Sequence, residues 1–336
     1  MTSIFELRKA NLRRDIDFTT ARCMEIGALN KPIIQPNEGN ILYADHLSIE
    51  GLKKQFAWDT TIKPEDLAPV SVIWQEKPLK DCVSGQFDYV IASHVGEHVP
   101  NLIGWINEIQ EILKPNGELR LALPDGRFSF DAKRQLTRLS DLLAAWMKNL
   151  RCPDTHIVLD FALNKIDDSY AGLDLLNQDP SNLDRIKPQF PFSEVLMWGE
   201  RTLDPNHYED VHCWVLTPGH FAKLMLPLAQ NDILKMACVS FVDTVAPGLE
   251  FIVNLSPEEN REKRVASWKK LKREAKDLIP NSTQANLLHG QQNLQTQCQE
   301  LQEEVNQLKS QLEAILHSHS WRCTAPLRRI SKKFKR

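Results

Sequence analysis

Residues 87–127 read FDYVIASHVGEHVPNLIGWINEIQEILKPNGELRLALPDGR, and the periodicity of this stretch decides the fold class. Phe87 to Ala92 is a short apolar run of strand length. Leu102, Ile106, Ile109 and Leu113 then recur at i, i+4, i+7 and i+11, which is one face of a helix. Pro100 and Asn101 open that helix, and Lys114-Pro115-Asn116-Gly117 closes it. Glu118 to Leu123 is a second strand. Two strands joined by a crossover helix run parallel, and ligands in such sheets bind beyond the C-terminal strand ends. Ser93, His94, Glu97, His98 and Asp125 fall at those ends.

Strand signals continue on the N-terminal side. Residues 1–20 predict a helical lead-in. Arg22 to Ile26 is a strand followed by a loop that opens on Gly27, and Ile41 to Ala44 is a strand closed by Asp45. A glycine lets backbone approach a ligand, and an acid about 20 residues further on meets ribose hydroxyls, so this pair has the form of an adenosine site. Val70 to Trp74 predicts a third strand. Thr217-Pro218 opens a later helix with an N-cap and a first-turn proline. Residues 233–243 and 249–254, joined by Ala246-Pro247-Gly248, predict a closing antiparallel hairpin. The expected fold is α/β: a Rossmann-like, seven-stranded, mostly parallel sheet with a C-terminal antiparallel hairpin, followed by a helical coiled coil.

The expected organisation is a domain over 1–255, with residues 128–211 inserted as a cap over the ligand edge. A charged helical linker follows over 256–286, then a coiled coil over 287–316 and a basic tail over 317–336. Leu287, Leu294, Leu301, Leu308 and Ile315 repeat every seventh residue, with Cys298, Val305 and Leu312 at the second core position, a pattern that predicts a homodimer. From Ser256 onward there are 16 Lys+Arg against 9 Asp+Glu, about +7, which leaves 25 against 35, about −10, for the body of the chain. The tail SHSWRCTAPLRRISKKFKR suits an anionic membrane surface or an acidic partner. No secretory leader or membrane-spanning run is legible, so a cytoplasmic protein, peripheral at the inner membrane face, is expected. Seven scattered cysteines without a CxxC pair read as reduced thiols. No nucleic-acid partner is expected.

His94, Glu97 and His98 fit HxxEH, a zinc-hydrolase pattern in which two histidines on one helix hold the metal. Here His94 follows a strand and the helix starts only after Pro100, so no metal ligands are assigned.

The segments EIGALNKP, YADH, residues 87–127 and FDAKRQLT together resemble class I S-adenosylmethionine-dependent methyltransferases, in the bacterial branch with ASHVxEHVP and PDxR segments. The resemblance spans residues 18–255. It implies S-adenosylmethionine as cofactor, with Glu25, Gly27 and Ala28 against its methionine part, Asp45 on its ribose and Trp74 or Gln75 near its adenine. Ser93 and His94 would line the pocket under the sulfonium. The family's usual GxGxG loop is replaced by GALNK. A hydroxyl acceptor needs a base, for which the candidates are His98, Asp125, His207 and His212, the last preferred. SHSWRCTAPLRRI is similar to a segment found in bacterial surface-polysaccharide glycosyltransferases and their companions. That similarity implies a glycan or lipid-linked sugar as acceptor and a glycosyltransferase contact through the tail. The function expected is O-methylation of a sugar of a cell-surface polysaccharide or its precursor. Two alternatives are a catalytically inactive scaffold in a glycan-assembly complex and the HxxEH hydrolase.

Overall fold

The computed structural model describes residues 4–74, 77–170, 185–244 and 248–275, all within one compact unit. Seven strands form one sheet: β1 (Arg22–Ile26), β2 (Asn40–Asp45), β3 (Val70–Ile73), β4 (Phe87–Ser93), β5 (Leu113–Pro124), β6 (Met236–Val242) and β7 (Glu250–Pro257). Their order is β3-β2-β1-β4-β5-β7-β6. β1 to β5 are mutually parallel, and β7 runs antiparallel to both β5 and β6. The sheet is therefore as the sequence predicts, including the closing hairpin.

Helices cover both faces. They are α1 (Ile4–Leu12), α2 (Ile49–Gln55), α3 (Leu79–Cys82), α4 (Leu102–Ile112), α5 (Leu139–Met147), α6 (Thr155–Asn164), α7 (Phe192–Arg201), α8 (Pro218–Gln230) and α9 (Arg261–Glu274). The Asn101 side chain caps α4 by accepting from Gly104 N–H, and the helix buries Leu102, Ile103, Trp105, Ile106, Ile109 and Ile112. These pack with Val90, Ala92, Leu119 and Leu121 in the larger of two cores, while Leu12, Ile33, Ile34, Ile91 and Ala122 join the smaller. α5, α6 and α7 come from the inserted region. No helix among the described residues is long and apolar enough to cross a membrane.

The C-terminal boundary differs from the expected one. Residues 256–286 read as a charged linker, yet β7 continues to Pro257 and α9 packs on the domain. Trp268 is fully buried, edge-on to Phe221 of α8, and its indole N–H donates to Met236 O at 2.9 Å. Arg264 is equally buried, its guanidinium donating to the carbonyls of Ala229 and Glu258 and pairing with Asp232. Positions 264, 268 and 271 form a stripe so narrow that the helix reads as solvated throughout. The coiled coil over 287–316 and the tail over 317–336 lie outside the described residues.

Truncating Trp268 to alanine removes a buried aromatic from the α8–α9 contact. We expect a loss of about 3–5 kcal/mol in urea denaturation; a loss under about 0.5 kcal/mol would restore the linker assignment.

Candidate functional site

The register of the parallel strands places a row of residues at the C-terminal edge of the sheet. Ile26 of β1 pairs with Ala44 of β2 on one side and Ala92 of β4 on the other, and Asp45 pairs with Ile73 of β3. One residue further on, Gly27 N–H bonds Ala44 O, and Trp74 N–H bonds Asp45 O, each at 2.9 Å. Ser93, Gly27, Asp45 and Trp74 thus lie side by side across four adjacent strands. Strand order reverses between β1 and β4, and this is where a crevice opens in an open α/β sheet.

Gly27 is fixed twice over. Its φ is +67°, and a Cβ there would lie 2.6 Å from Val95 Cγ2. Any L side chain would meet both strain and a clash. Ala28 follows it in the loop. Asp45 is buried, and its Oδ1 accepts from His46 N–H and lies 2.7 Å from His46 Nδ1. The half-buried Trp74 donates its indole N–H to Glu108 Oε2 at 2.9 Å. Gln75 lies outside the described residues.

Glu25 has a different role from the one the resemblance implies. It is 1% exposed, and its carboxylate accepts from Ile33 N–H at 2.7 Å and Ile34 N–H at 3.1 Å. Tyr43, on β2, donates its hydroxyl to Ile34 O. Glu25 therefore anchors the loop after Gly27 instead of presenting its carboxylate to a ligand. Burial pushes its pKa up to about 7, against the opposing effect of the two N–H donors.

A second cluster sits beyond β4. His94 adopts φ +55°, a left-handed conformation that a non-glycine residue holds only when its surroundings impose it. Its Nε2 lies 2.7 Å from Glu250 Oε2 and its Nδ1 3.3 Å from Glu97 Oε1. Arg8 of α1 pairs with Glu250 at 2.5 Å. Burial works against charge on His94, but Glu250 and Glu97 outweigh it and hold its pKa at about 9. His94 is a strut joining the β4 end to β7; Ser93, by contrast, remains on the row.

The turn Gly96–His98 turns the other way, toward the chain at 210–213. Cys213 N–H donates to Glu97 O. His98 Nδ1 lies 2.8 Å from Asp210 Oδ1, and His212 Nδ1 lies 2.6 Å from Asp131 Oδ2. The two imidazoles are perpendicular, 4.8 Å between centroids, with Phe130 beside His212. Arg134 donates to Asp131 Oδ1 and to His212 O, both at 2.8 Å. His98 and His212 are thus brought together; the Nδ1 of His212 is hydrogen-bonded to Asp131, while that of His98 lies beside Asp210 without a hydrogen bond of ordinary geometry.

Asp125 is not available as a base. Its carboxylate accepts from Arg127 N–H, Nε and Nη2, and from the Thr244 hydroxyl at 2.7 Å. It is fully buried and braces the end of β5. His207 pairs with Glu209 at 2.9 Å. Sequence reasoning missed Asp131, Arg134, Asp210 and Glu250. Asp131 lies in the quoted FDAKRQLT segment and Asp210 stands two residues before His212, which are the only local signals for either; Glu250 has none.

The Glu25 shift has a testable sign. A carboxyl whose folded pKa exceeds its ordinary value of 4.5 stabilises the fold below that value and loses the contribution as pH rises toward 7. Denaturant unfolding of wild type relative to Glu25→Gln should therefore worsen by roughly 2–3 kcal/mol between pH 4.5 and 8. A difference that does not change with pH would contradict this environment for Glu25.

Residues 37–166 match the family model described as a methyltransferase domain. No curated protein matches the chain. Among solved structures, similarity extends to one described as a Zn-dependent alcohol dehydrogenase from Rhodobacter sphaeroides (TM-score 0.41, 11% identity, 75% of this chain and 90% of that one). It also extends to the CurJ carbon methyltransferase (TM-score 0.36, 13% identity, 76% and 54%) and the mitomycin 7-O-methyltransferase MmcR (TM-score 0.34, 11% identity, 75% and 54%). The chain spans about half the length of these two methyltransferases. Overlaps this low carry no argument about chemistry, and what the comparison adds is the methyltransferase-domain match over 37–166.

Proposed function

We propose that the protein is an S-adenosylmethionine-dependent methyltransferase that O-methylates a sugar of a cell-surface glycan or its lipid-linked precursor. The observation that carries the reading is the Ser93–Gly27–Asp45–Trp74 row at the switch point of a β3-β2-β1-β4-β5-β7-β6 sheet. The row combines a glycine that admits close approach, a carboxylate suited to vicinal hydroxyls and an aromatic ring, in strand order. A nucleoside with a charged tail fits that sequence of groups. The methyltransferase-domain match over residues 37–166 supports the same reading.

Gly27 and Ala28 would pass backbone along the cofactor's amino-acid tail, Asp45 would accept from its ribose hydroxyls, and Trp74 would border its adenine. When bound, the cofactor supplies an electrophilic methyl group on sulfur; the protein's task is alignment and exclusion of water. His98 and His212 stand on the acceptor side. Their Nδ1 atoms lie beside Asp210 and Asp131, and the Nε2 of the buried His212 lies 4.0 Å from Glu97 Oε1. A positioned imidazole contributes on the order of 10²–10⁴-fold to removing the proton of an acceptor hydroxyl. The glycan acceptor rests on the SHSWRCTAPLRRI segment. Dimerisation through 287–316, a glycosyltransferase contact and peripheral membrane contact through the basic tail belong to the same proposal.

Calorimetry with S-adenosylhomocysteine tests the cofactor part. We expect 1:1 binding by the wild type, and binding at least about tenfold weaker by Asp45→Ala, equivalent to about 1.4 kcal/mol, with the fold of the variant verified by circular dichroism. No heat of binding at millimolar ligand would sink the reading and favour the inactive scaffold.

A further inference from the structure

The side chains of Glu97, His98 and His212 offer three ligand atoms within 4.8 Å of one another. We propose that they form a binding site for one divalent transition-metal ion, of the zinc, cobalt or iron(II) class. The set differs from the HxxEH pattern, which would use His94: that residue is committed to Glu250, and its place is taken by His212, from a distant part of the chain.

Four observations support the site. First, Glu97 is fully buried, and neither carboxylate oxygen has a hydrogen-bond partner of ordinary geometry among the described residues. Its nearest contacts are His94 Nδ1 at 3.3 Å and His212 Nε2 at 4.0 Å. A buried carboxylate left in that state costs free energy that a directly bound cation would recover. Second, each histidine has its Nδ1 against a carboxylate, Asp210 for His98 and Asp131 for His212. The His212 hydrogen bond to Asp131 fixes that ring's tautomer and makes its Nε2 the ligand atom, as in protein zinc sites generally; His98 Nδ1 lies near Asp210 without a hydrogen bond of ordinary geometry. Third, four carboxylates, Glu97, Asp131, Asp160 and Asp210, lie around the imidazoles of His94, His98 and His212 and the one guanidinium of Arg134, a surplus of carboxylates over the permanent cation that favours a divalent one. Fourth, the His98 side chain is 29% exposed, which leaves one side of the site open for a water or an acceptor oxygen.

Two imidazoles and one carboxylate with an open position suit zinc or iron(II), whereas magnesium and calcium prefer all-oxygen sets. Bond lengths near 2.1 Å set ligand atoms roughly 3.4 Å apart in a tetrahedral site. The 4.0 Å between His212 Nε2 and Glu97 Oε1, and the 4.8 Å that bounds all three ligand atoms, must contract to that spacing when the ion binds. A cation here would take over from the imidazoles the task of making a bound hydroxyl acidic, at the end of the strand that carries Ser93. The site itself does not depend on the methyltransferase reading.

The experiment uses the full chain, stripped with chelator, dialysed free of it and titrated with cobalt(II) chloride while the visible ligand-field band is followed. We expect one equivalent to bind, to be displaced by zinc chloride, and to give a band without thiolate charge transfer. The band should be lost in His98→Ala and His212→Ala. Asp131→Asn, which touches no metal, should bind about 10–100-fold more weakly. His98 is the partly exposed ligand, so His98→Ala checked by circular dichroism separates loss of the site from loss of the fold. Failure of the wild type to bind cobalt, a thiolate band, or wild-type affinity in both histidine variants would each overturn the proposal.

Discussion

The structure depends on β1 being paired in parallel with both β2 and β4. That double pairing places the reversal of strand order at one point and fixes, through register, which residues emerge together at the C-terminal edge. Met24 and Ile26 project from β1 into the larger core and Cys23 into the smaller, so burial on both faces holds the register. A slip of one residue would send each of these side chains to the opposite face. Gly27 follows from the same constraint: the loop must turn immediately after the last paired residue, at positive φ, with Val95 pressed against it. Glu25, one pleat earlier, then anchors the loop through Ile33 and Ile34.

Beyond β4 the governing physics is electrostatic. Arg8, Glu250, His94 and Glu97 form one chain of charges, and Arg134, Asp131 and His212 form another, and the two approach each other between Glu97 and His212. Buried ion pairs contribute little net stability compared with apolar packing, although breaking one by removing a single partner is costly. So many ionisable groups at one sheet edge are better explained by what they hold than by what they add to folding. The strained backbone of His94 belongs to this network, since its imidazole reaches Glu250 and Glu97 at once.

Much of this could be read from the chain. The strand–helix–strand period over 87–127 is strong because α4 buries a complete apolar face and the central residues of both strands, Val90 to Ala92 and Leu119 to Leu123, are buried on both sides. Gly27, Asp45, Trp74 and Ser93 were legible because they mark strand ends. Side-chain partners were not. Glu25 looks like a ligand contact until Ile33 and Ile34 fold back over it, and Asp125 looks like a base until Arg127 and Thr244 occupy its oxygens. His98 and His212 belong to different parts of the chain, and no periodicity connects them. The charged helix α9 reads as a linker because three buried positions among many charges leave hardly any pattern of packing.

The central claim is that the Ser93–Gly27–Asp45–Trp74 row is a nucleoside cofactor site. A crystal structure with S-adenosylhomocysteine tests it most directly. The account predicts the ligand lying along that row, its ribose hydroxyls on Asp45 and its sulfur near Ser93. Ligand bound elsewhere on the domain, or density absent from the row at saturating concentration, would contradict it.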